Sequence, residues 1–266
     1  MFIIGTILVS VIGYLIGSFS FSITIVKLKT KEDIREFGSK NAGATNASRK
    51  LGKKWGIVIM LLDASKIFIV AFIALGFTYI PSDAFKYTSF YIPAFFALVG
   101  HCFPVYYKFK GGKAVSCFLG LTALINWTIC LIFFLVWVIL ILIFRIVSVS
   151  SIFGSIIAMI MIWIPILSGS ESITLTNDEW INGYEFFGPL AGTFKSTLVW
   201  MNLLHTHSSQ INYAESYLVI CLIVTFSTIL LIYRHKDNIK KLINKTEVTI
   251  FNYKKEDNEK SNILKS

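Results

Sequence analysis

The sequence predicts an all-α polytopic membrane protein, and three observations carry that expectation. Of 266 residues, 55% are hydrophobic and 15% charged, with a mean hydropathy of +0.69, far too apolar for a soluble globular domain. Apolar runs near 20 residues, the length that crosses a hydrocarbon core of roughly 30 Å, recur along the chain. Apart from Lys66, the lysines and arginines gather between those runs rather than within them. Irregular backbone at bilayer depth must be buried or line a wet cavity, so several helices must share one bundle.

Seven spans are predicted, over residues 2–26, 56–80, 88–104, 115–125, 127–144, 151–167 and 216–233. The first carries no charge before Lys27; without leading cations or a cleavage site it reads as a retained span rather than a secretory signal. Loop 27–54 holds nine cations and the tail from Arg234 holds nine more, which places both in the cytoplasm. Residues 168–215 hold one lysine, Lys195, against five carboxylates, and belong outside. The stretch 114–144 is too long for one comfortable span and short for two. Lys108, Lys110 and Lys113 precede it and Arg145 follows it, so a hairpin near Asn126 and Trp127 keeps all four on one side. The expectation is seven transmembrane helices, amino terminus outside and carboxyl terminus cytoplasmic, in a multi-pass plasma-membrane protein. One membrane-embedded domain covers 1–247, with an outer insertion at 168–215 and a polar basic tail at 248–266.

The formal net charge of +10 is explained by topology, since no basic stripe interleaved with aromatics lies on a polar domain as a nucleic-acid partner would require. Cys102, Cys117, Cys130 and Cys221 lie in apolar segments without metal-ligand or paired spacing and read as buried thiols. His205 and His207 have no carboxylate or cysteine spacing to recruit a metal. No metal and no cofactor is expected.

Three polar stretches then share the cytoplasmic face. In the first, GSKNAGATNASRK at 38–50, Gly38 and Gly43 let backbone approach a ligand closely and expose amides that cup an anion. Ser39, Asn41, Thr45 and Asn46 add short hydrogen bonds, and Arg49 adds a fork that matches phosphate oxygens. The stretch reads as a phosphate site, with a glycine-rich turn capping two helices as the alternative. The second, GHCFPVYYKFKGGKAVS at 100–116, repeats the logic: Gly111 and Gly112, then Lys113 as a point charge opening an apolar helix whose amino end favours anions. Neither stretch has Walker spacing, and Lys108 and Lys110 read as topology signals. In the third, RHKDNIKKLINKTE at 234–247, His235 and Asn238 lie three apart on one helix face. Histidine there donates to a phosphate, shuttles a proton, or is incidental. Glu247 caps or ties down the tail. Asp63 and Lys66, three apart inside the second span, read as a neutralising pair, and Gly13, Gly17, Ser18, Ser20 and Ser22 as a small-residue packing face.

The three stretches together resemble, in order and spacing, the motifs of the bacterial acyl-phosphate-dependent glycerol-3-phosphate acyltransferases, an integral membrane family. The resemblance spans about residues 13–167 and 216–247, through DIREFGSKNAGATNASRKLGKKWGIVIMLLDASK, GHCFPVYYKFKGGK and RHKDNIKKLINKTE. It implies a seven-helix bundle with its site near the cytoplasmic face. It also implies the reaction: acyl phosphate plus glycerol 3-phosphate gives 1-acyl-glycerol 3-phosphate and phosphate, the first acylation of phospholipid synthesis. Carried over by position, the substrate-binding candidates are Ser39, Asn41, Gly43, Thr45, Asn46, Arg49, Gly111, Gly112, Lys113 and His235, with Ser39, Arg49, Lys113, His235 and Asn238 implied in catalysis. Both substrates carry phosphate, so two anions must be held together by cations and amides. An activated donor leaves alignment and charge stabilisation as the main work. The hydroxyl proton goes to His235 or to a substrate phosphate; the second is preferred, leaving His235 as a clamp, because no nucleophile, base and orienting acid sit together. No histidine has an aspartate five positions later, which argues against acyl-CoA or acyl carrier protein as donor. The sequence departs from the family at Ala114 and Lys245, where glycine is usual, at Ser20, where proline is common, and at the 168–215 insertion. A transporter of phosphorylated metabolites and a scaffold for lipid enzymes are the competing readings; a transporter would need polar groups through the membrane depth.

Overall fold

The computed structural model describes residues 3–164, 217–247 and 249, and among them the regular elements are helices, with no β-strand. The 168–215 insertion and, apart from Thr249, the tail beyond Glu247 lie outside the described residues. The helices are α1 (Ile4–Ser18), α2 (Phe21–Thr30), α3 (Ala44–Leu51), α4 (Lys53–Thr78), α5 (Asp83–Lys86), α6 (Tyr91–Cys102), α7 (Val115–Ile125), α8 (Trp127–Phe144), α9 (Val147–Trp163), α10 (Tyr217–Arg234) and α11 (Lys236–Ile243). Among the described residues, four stretches are long and apolar enough to cross a membrane: Ile4–Thr30, Lys53–Thr78, Trp127–Phe144 and Tyr217–Arg234. Three shorter apolar helical stretches are Tyr91–Tyr107, Val115–Ile125 and Val147–Trp163.

The first span, expected as one helix over 2–26, is broken. Phe19 is extended (φ −73°, ψ 118°), and Ser20 starts the next helix by accepting from the Ile23 amide at 3.4 Å. The bend therefore forms with serine where a proline was expected to matter, because a side-chain N-cap suffices to open a helix. Helix ends leave carbonyls without intrahelical donors, and here Lys66 of α4 supplies them. Its Nζ donates to the oxygens of Gly17 (3.2 Å) and Phe19 (2.8 Å) while it pairs with Asp63 Oδ1 at 2.9 Å.

The close approach of α1 and α6 explains Gly17: a Cβ there would sit 2.0 Å from the carbonyl oxygen of Ala97, so only glycine lets the two backbones meet. The turn expected near Asn126 is present. Asn126 is extended (φ −155°, ψ 113°), and its Oδ1 accepts from the amides of Thr128 (2.9 Å) and Ile129 (3.0 Å), so one side chain stops α7 and caps α8. The core is shared by α4, α6, α7 and α10 through residues such as Val70, Leu98, Leu121 and Ile220, all fully buried. Helix α8 lies at the rim: Ile129 and Phe133 are buried, while Leu131, Leu135, Ile139 and Leu142 are exposed, a face suited to lipid solvation.

Candidate active site

The polar segment between α2 and α4 folds around one amide side chain. Asn46 is buried; its Oδ1 accepts from the Ser39 amide at 3.2 Å. Its Nδ2 faces the oxygens of Phe37 (2.9 Å), Ile34 (3.1 Å) and Asn41 (3.1 Å). Four backbone positions of an otherwise irregular loop are thus braced from one point. Gly38 (φ 55°) and Lys40 (φ 57°) adopt left-handed backbone beside it. Replacing Asn46 with alanine takes this partner from the Ser39 amide and the Asn41 oxygen, while the oxygens of Phe37 and Ile34 keep the amides of Lys40 (2.9 Å) and Phe37 (3.2 Å), so the loss is about 1–3 kcal/mol in all. Asn46→Ala is expected to lower the melting temperature and to weaken substrate binding together, read by thermal denaturation and KM on the same preparation.

A second brace joins this loop to the next polar stretch. Arg35 holds Asp33 with two nitrogens (Nε to Oδ1 3.0 Å, Nη2 to Oδ2 2.6 Å) and donates through Nη1 to the Tyr107 oxygen at 3.0 Å. The hydrogen bonds from Arg35 hold the Asp33 carboxyl below its usual range, and Asp33 in turn raises the guanidinium. Planar bidentate pairing of this kind fixes geometry as well as charge.

The three polar stretches meet in a cleft of about 580 Å³. Eight cations line it (Arg35, Lys40, Lys108, Lys110, Lys113, Arg234, Lys236 and Lys241) against the carboxylates Asp33, Glu36 and Asp237. Such a cleft attracts anions. Of the candidate residues, Ser39, Asn41, Gly111, Lys113 and Asn238 form its wall. Gly43 begins α3, its oxygen accepting from the amides of Asn46 (3.1 Å) and Ala47 (3.0 Å), and Thr45 is exposed on the same turn. Arg49, on the last turn of α3, is near enough for its charge to act on Lys113.

Gly111 and Gly112 do something the sequence did not suggest. The Gly112 amide donates to the His101 oxygen at 3.0 Å, while the oxygens of Gly112 and Gly111 each accept from Arg234, at 3.0 Å from Nε and Nη2. A Cβ on Gly112 would lie 2.1 Å from His101 Nε2, and one on Gly111 2.2 Å from the His101 oxygen. The pair is glycine because the loop is pressed onto His101, and its carbonyls aim Arg234, whose guanidinium also lies 5.1 Å from the Phe103 ring. Sequence reasoning missed Arg234 as a site residue; as a cation at the end of a span it looked like a topology signal. Lys40 and Lys241 likewise looked like topology signals, and Asp237, a lone carboxylate in a basic stretch, carried no signal of its own.

Lys113 donates to Asn238 Oδ1, Asn238 Nδ2 donates to Glu247 Oε1 at 2.5 Å, and Ser148 Oγ donates to the same oxygen at 2.9 Å. Glu247 therefore ties the end of the third stretch to α9 and to the cleft. Burial pushes the Lys113 amine down to about 8, aided by Arg49, Lys241 and Arg234 and opposed by Glu247. Burial also pushes His235 down to about 4, with the Lys113 charge adding to it and the bond to the Leu231 oxygen opposing it. The His235 Nδ1 lies 2.8 Å from the Leu231 oxygen. A carbonyl only accepts, so Nδ1 carries the hydrogen and Nε2 keeps a lone pair in the neutral ring. Among the described residues no group of His, Cys, Asp and Glu could hold a metal ion.

A helical membrane bundle with a cationic cleft built from three polar stretches at one end defines a class: integral membrane proteins with a site that attracts anions. The family model for glycerol-3-phosphate acyltransferase matches residues 7–245, and the chain belongs to that family. A glycerol-3-phosphate acyltransferase of Mycoplasma mycoides subsp. mycoides is 46% identical over 253 residues, covering 94% of this chain and 95% of its own. One from Mesoplasma florum is 43% identical over 251 residues, covering 93% and 96%. Among solved structures, PlsY (YgiH), an integral membrane glycerol 3-phosphate acyltransferase, is similar in its glycerol 3-phosphate form, with 28% identity, a TM-score of 0.62 and coverage of 92% of this chain and 95% of that one. Its lysophosphatidic acid form is similar at 29% identity and a TM-score of 0.58, covering 92% and 94%.

Proposed function

We propose that this glycerol-3-phosphate acyltransferase takes its acyl group from acyl phosphate and delivers it to the sn-1 hydroxyl, with no cofactor. The observation that carries the proposal is the convergence of the three polar stretches on one cleft with eight cations, enough to offset two phosphate groups held side by side. In the reaction the glycerol oxygen bonds to the acyl carbon, the carbon–oxygen bond to phosphate breaks, and the phosphate departs with its electron pair. Ser39, Asn41 and the cations Arg49, Lys113 and Arg234 hold the phosphates and stabilise the leaving group. Neutral His235 accepts through Nε2 from the glycerol hydroxyl and aligns it. A base near 4 is too weak to retain a proton near neutrality, so the proton passes to phosphate, whose second pKa is about 6.

In the proposed topology the four long and three short apolar helical stretches cross the membrane seven times, with the amino terminus outside. The cleft then faces the cytoplasm of a plasma-membrane protein, where the nine cations of loop 27–54 also belong. Purified protein in detergent, given acyl phosphate and glycerol 3-phosphate, is expected to release phosphate and form lysophosphatidate. Acyl-CoA in place of acyl phosphate is expected to give neither, and equal turnover with acyl-CoA would refute the donor assignment.

The Lys113 amine sets a pH limit. With a free-enzyme value of about 8, it is charged below that pH and loses its charge as pH rises. The substrate phosphate is already dianionic there, so kcat/KM is expected to fall up to about tenfold per unit above pH 8. A bound dianion favours the charged amine, so the matching limb in kcat lies at higher pH. Initial-rate profiles from pH 6.5 to 10 check both.

A further inference from the structure

Asp63, Lys66 and His101 are buried away from the cleft and take no part in the chemistry above. Ionisable side chains at membrane depth are costly, and a neutralising pair alone does not explain why a third polar side chain joins them. We infer that this trio is a positioning device for glycerol 3-phosphate binding: it locks His101 in place, and His101 sets the Gly111–Gly112 loop that carries Lys113 and aims Arg234.

The links are continuous. Lys66 is anchored at the α1–α2 break through the oxygens of Gly17 and Phe19 and by Asp63 at 2.9 Å. His101 Nδ1 lies 3.4 Å from Lys66 Nζ, whose ammonium can only donate, so the ring is held from behind by Lys66; Asp63 Oδ1, 3.6 Å from Nδ1, acts on the ring through Lys66. Its other edge faces Gly112 so closely that a methyl group would not fit, and its backbone oxygen takes the Gly112 amide at 3.0 Å. The next two atoms outward, the oxygens of Gly111 and Gly112, hold Arg234, and the next residue is Lys113, a wall of the cleft. Helix α4, the break in the first span and the loop after α6 therefore converge on one ring. A ring free to shift by an ångström would move two phosphate-facing cations together, and displacement of that size is costly to substrate positioning.

The inference rests on the cleft being the glycerol 3-phosphate site, and its test separates the two. His101→Leu keeps side-chain bulk and removes the polar edge; it is expected to raise KM for glycerol 3-phosphate by about tenfold while kcat changes less than about threefold. The stabilisation of the protein against heat by added glycerol 3-phosphate should weaken in parallel. His101→Asn, which restores a polar atom near the place of Nδ1, is expected to recover part of the loss. Asp63→Asn keeps size and removes the charge that holds Lys66 in place beside the ring, and is expected to raise KM about threefold or more; it decides the matter should His101→Leu not fold. A lowered melting temperature with unchanged KM in either variant overturns the inference, since that is what a purely structural role gives. If the wild-type protein itself shows no saturation by glycerol 3-phosphate, the assignment of the cleft fails instead.

Discussion

Lys113→Ala is expected to lower kcat/KM by about 10²–10³, the loss typical when one preorganised charge-stabilising group is removed from an enclosed site. The magnitude follows from where Lys113 sits. It lines the cleft, its ammonium is oriented by Asn238, and it shares the site with Arg49, Lys241 and Arg234. Burial first, and each of those cations after it, makes Lys113 harder to charge in the empty protein, so the amine is pushed down to about 8. A group whose charge is opposed in the free enzyme and favoured by a bound dianion gives its full benefit only when substrate and leaving phosphate are present. The same reasoning separates function from stability. Folding works against the Lys113 charge, so the alanine variant is expected to melt at the same temperature as the wild type or slightly higher. Arginine at this position keeps the charge and loses the fit to Asn238, so partial recovery is expected. Initial rates with purified, thermally intact variants are the measurement; a change in kcat/KM below about threefold would remove Lys113 from the site.

The features that were legible in the sequence are those written in local pattern. The break between α7 and α8 could be placed because an asparagine interrupts an apolar run and the surrounding cations demand even crossing, and Asn126 does cap α8. That three polar stretches share one end of the bundle could be inferred from charge placement; that they close on one cleft followed only from the family resemblance. What was hidden depends on carbonyl oxygens, which every residue has and no sequence displays. Asn46 looked like a ligand contact because asparagine in a glycine-rich loop suits a phosphate; its side chain is occupied by four backbone groups of its own loop. Gly111 and Gly112 looked like an anion cup; their oxygens hold Arg234. His235 looked like a phosphate clamp; which ring nitrogen remains for a substrate is set by the Leu231 oxygen facing Nδ1, and no sequence shows that. In each case the residue type was informative and the partner, fixed only by tertiary geometry, was not.

Lys66→Met is expected to cause the largest loss of stability of any substitution considered, about 3–5 kcal/mol, because it leaves Asp63 as a buried charge without its closest partner. For a chain of this size that corresponds to a fall in melting temperature on the order of 10 °C. The pair spacing was visible in the sequence, but it predicted only mutual neutralisation. The structure gives Lys66 a second task, supplying hydrogen bonds to the oxygens of Gly17 and Phe19 where the first helix breaks. The two tasks can be separated. Replacing both partners, Asp63→Leu with Lys66→Met, removes the orphaned charge, and buried ion pairs exchanged for apolar residues of similar volume are often neutral or stabilising. If neutralisation were all that Lys66 did, the double variant would regain the full melting temperature. Because the break would still expose carbonyl oxygens with no donor at bilayer depth, the double variant is expected to recover only part of the loss. Its shortfall, read by thermal denaturation in detergent, measures what Lys66 contributes as a cap for the broken helix.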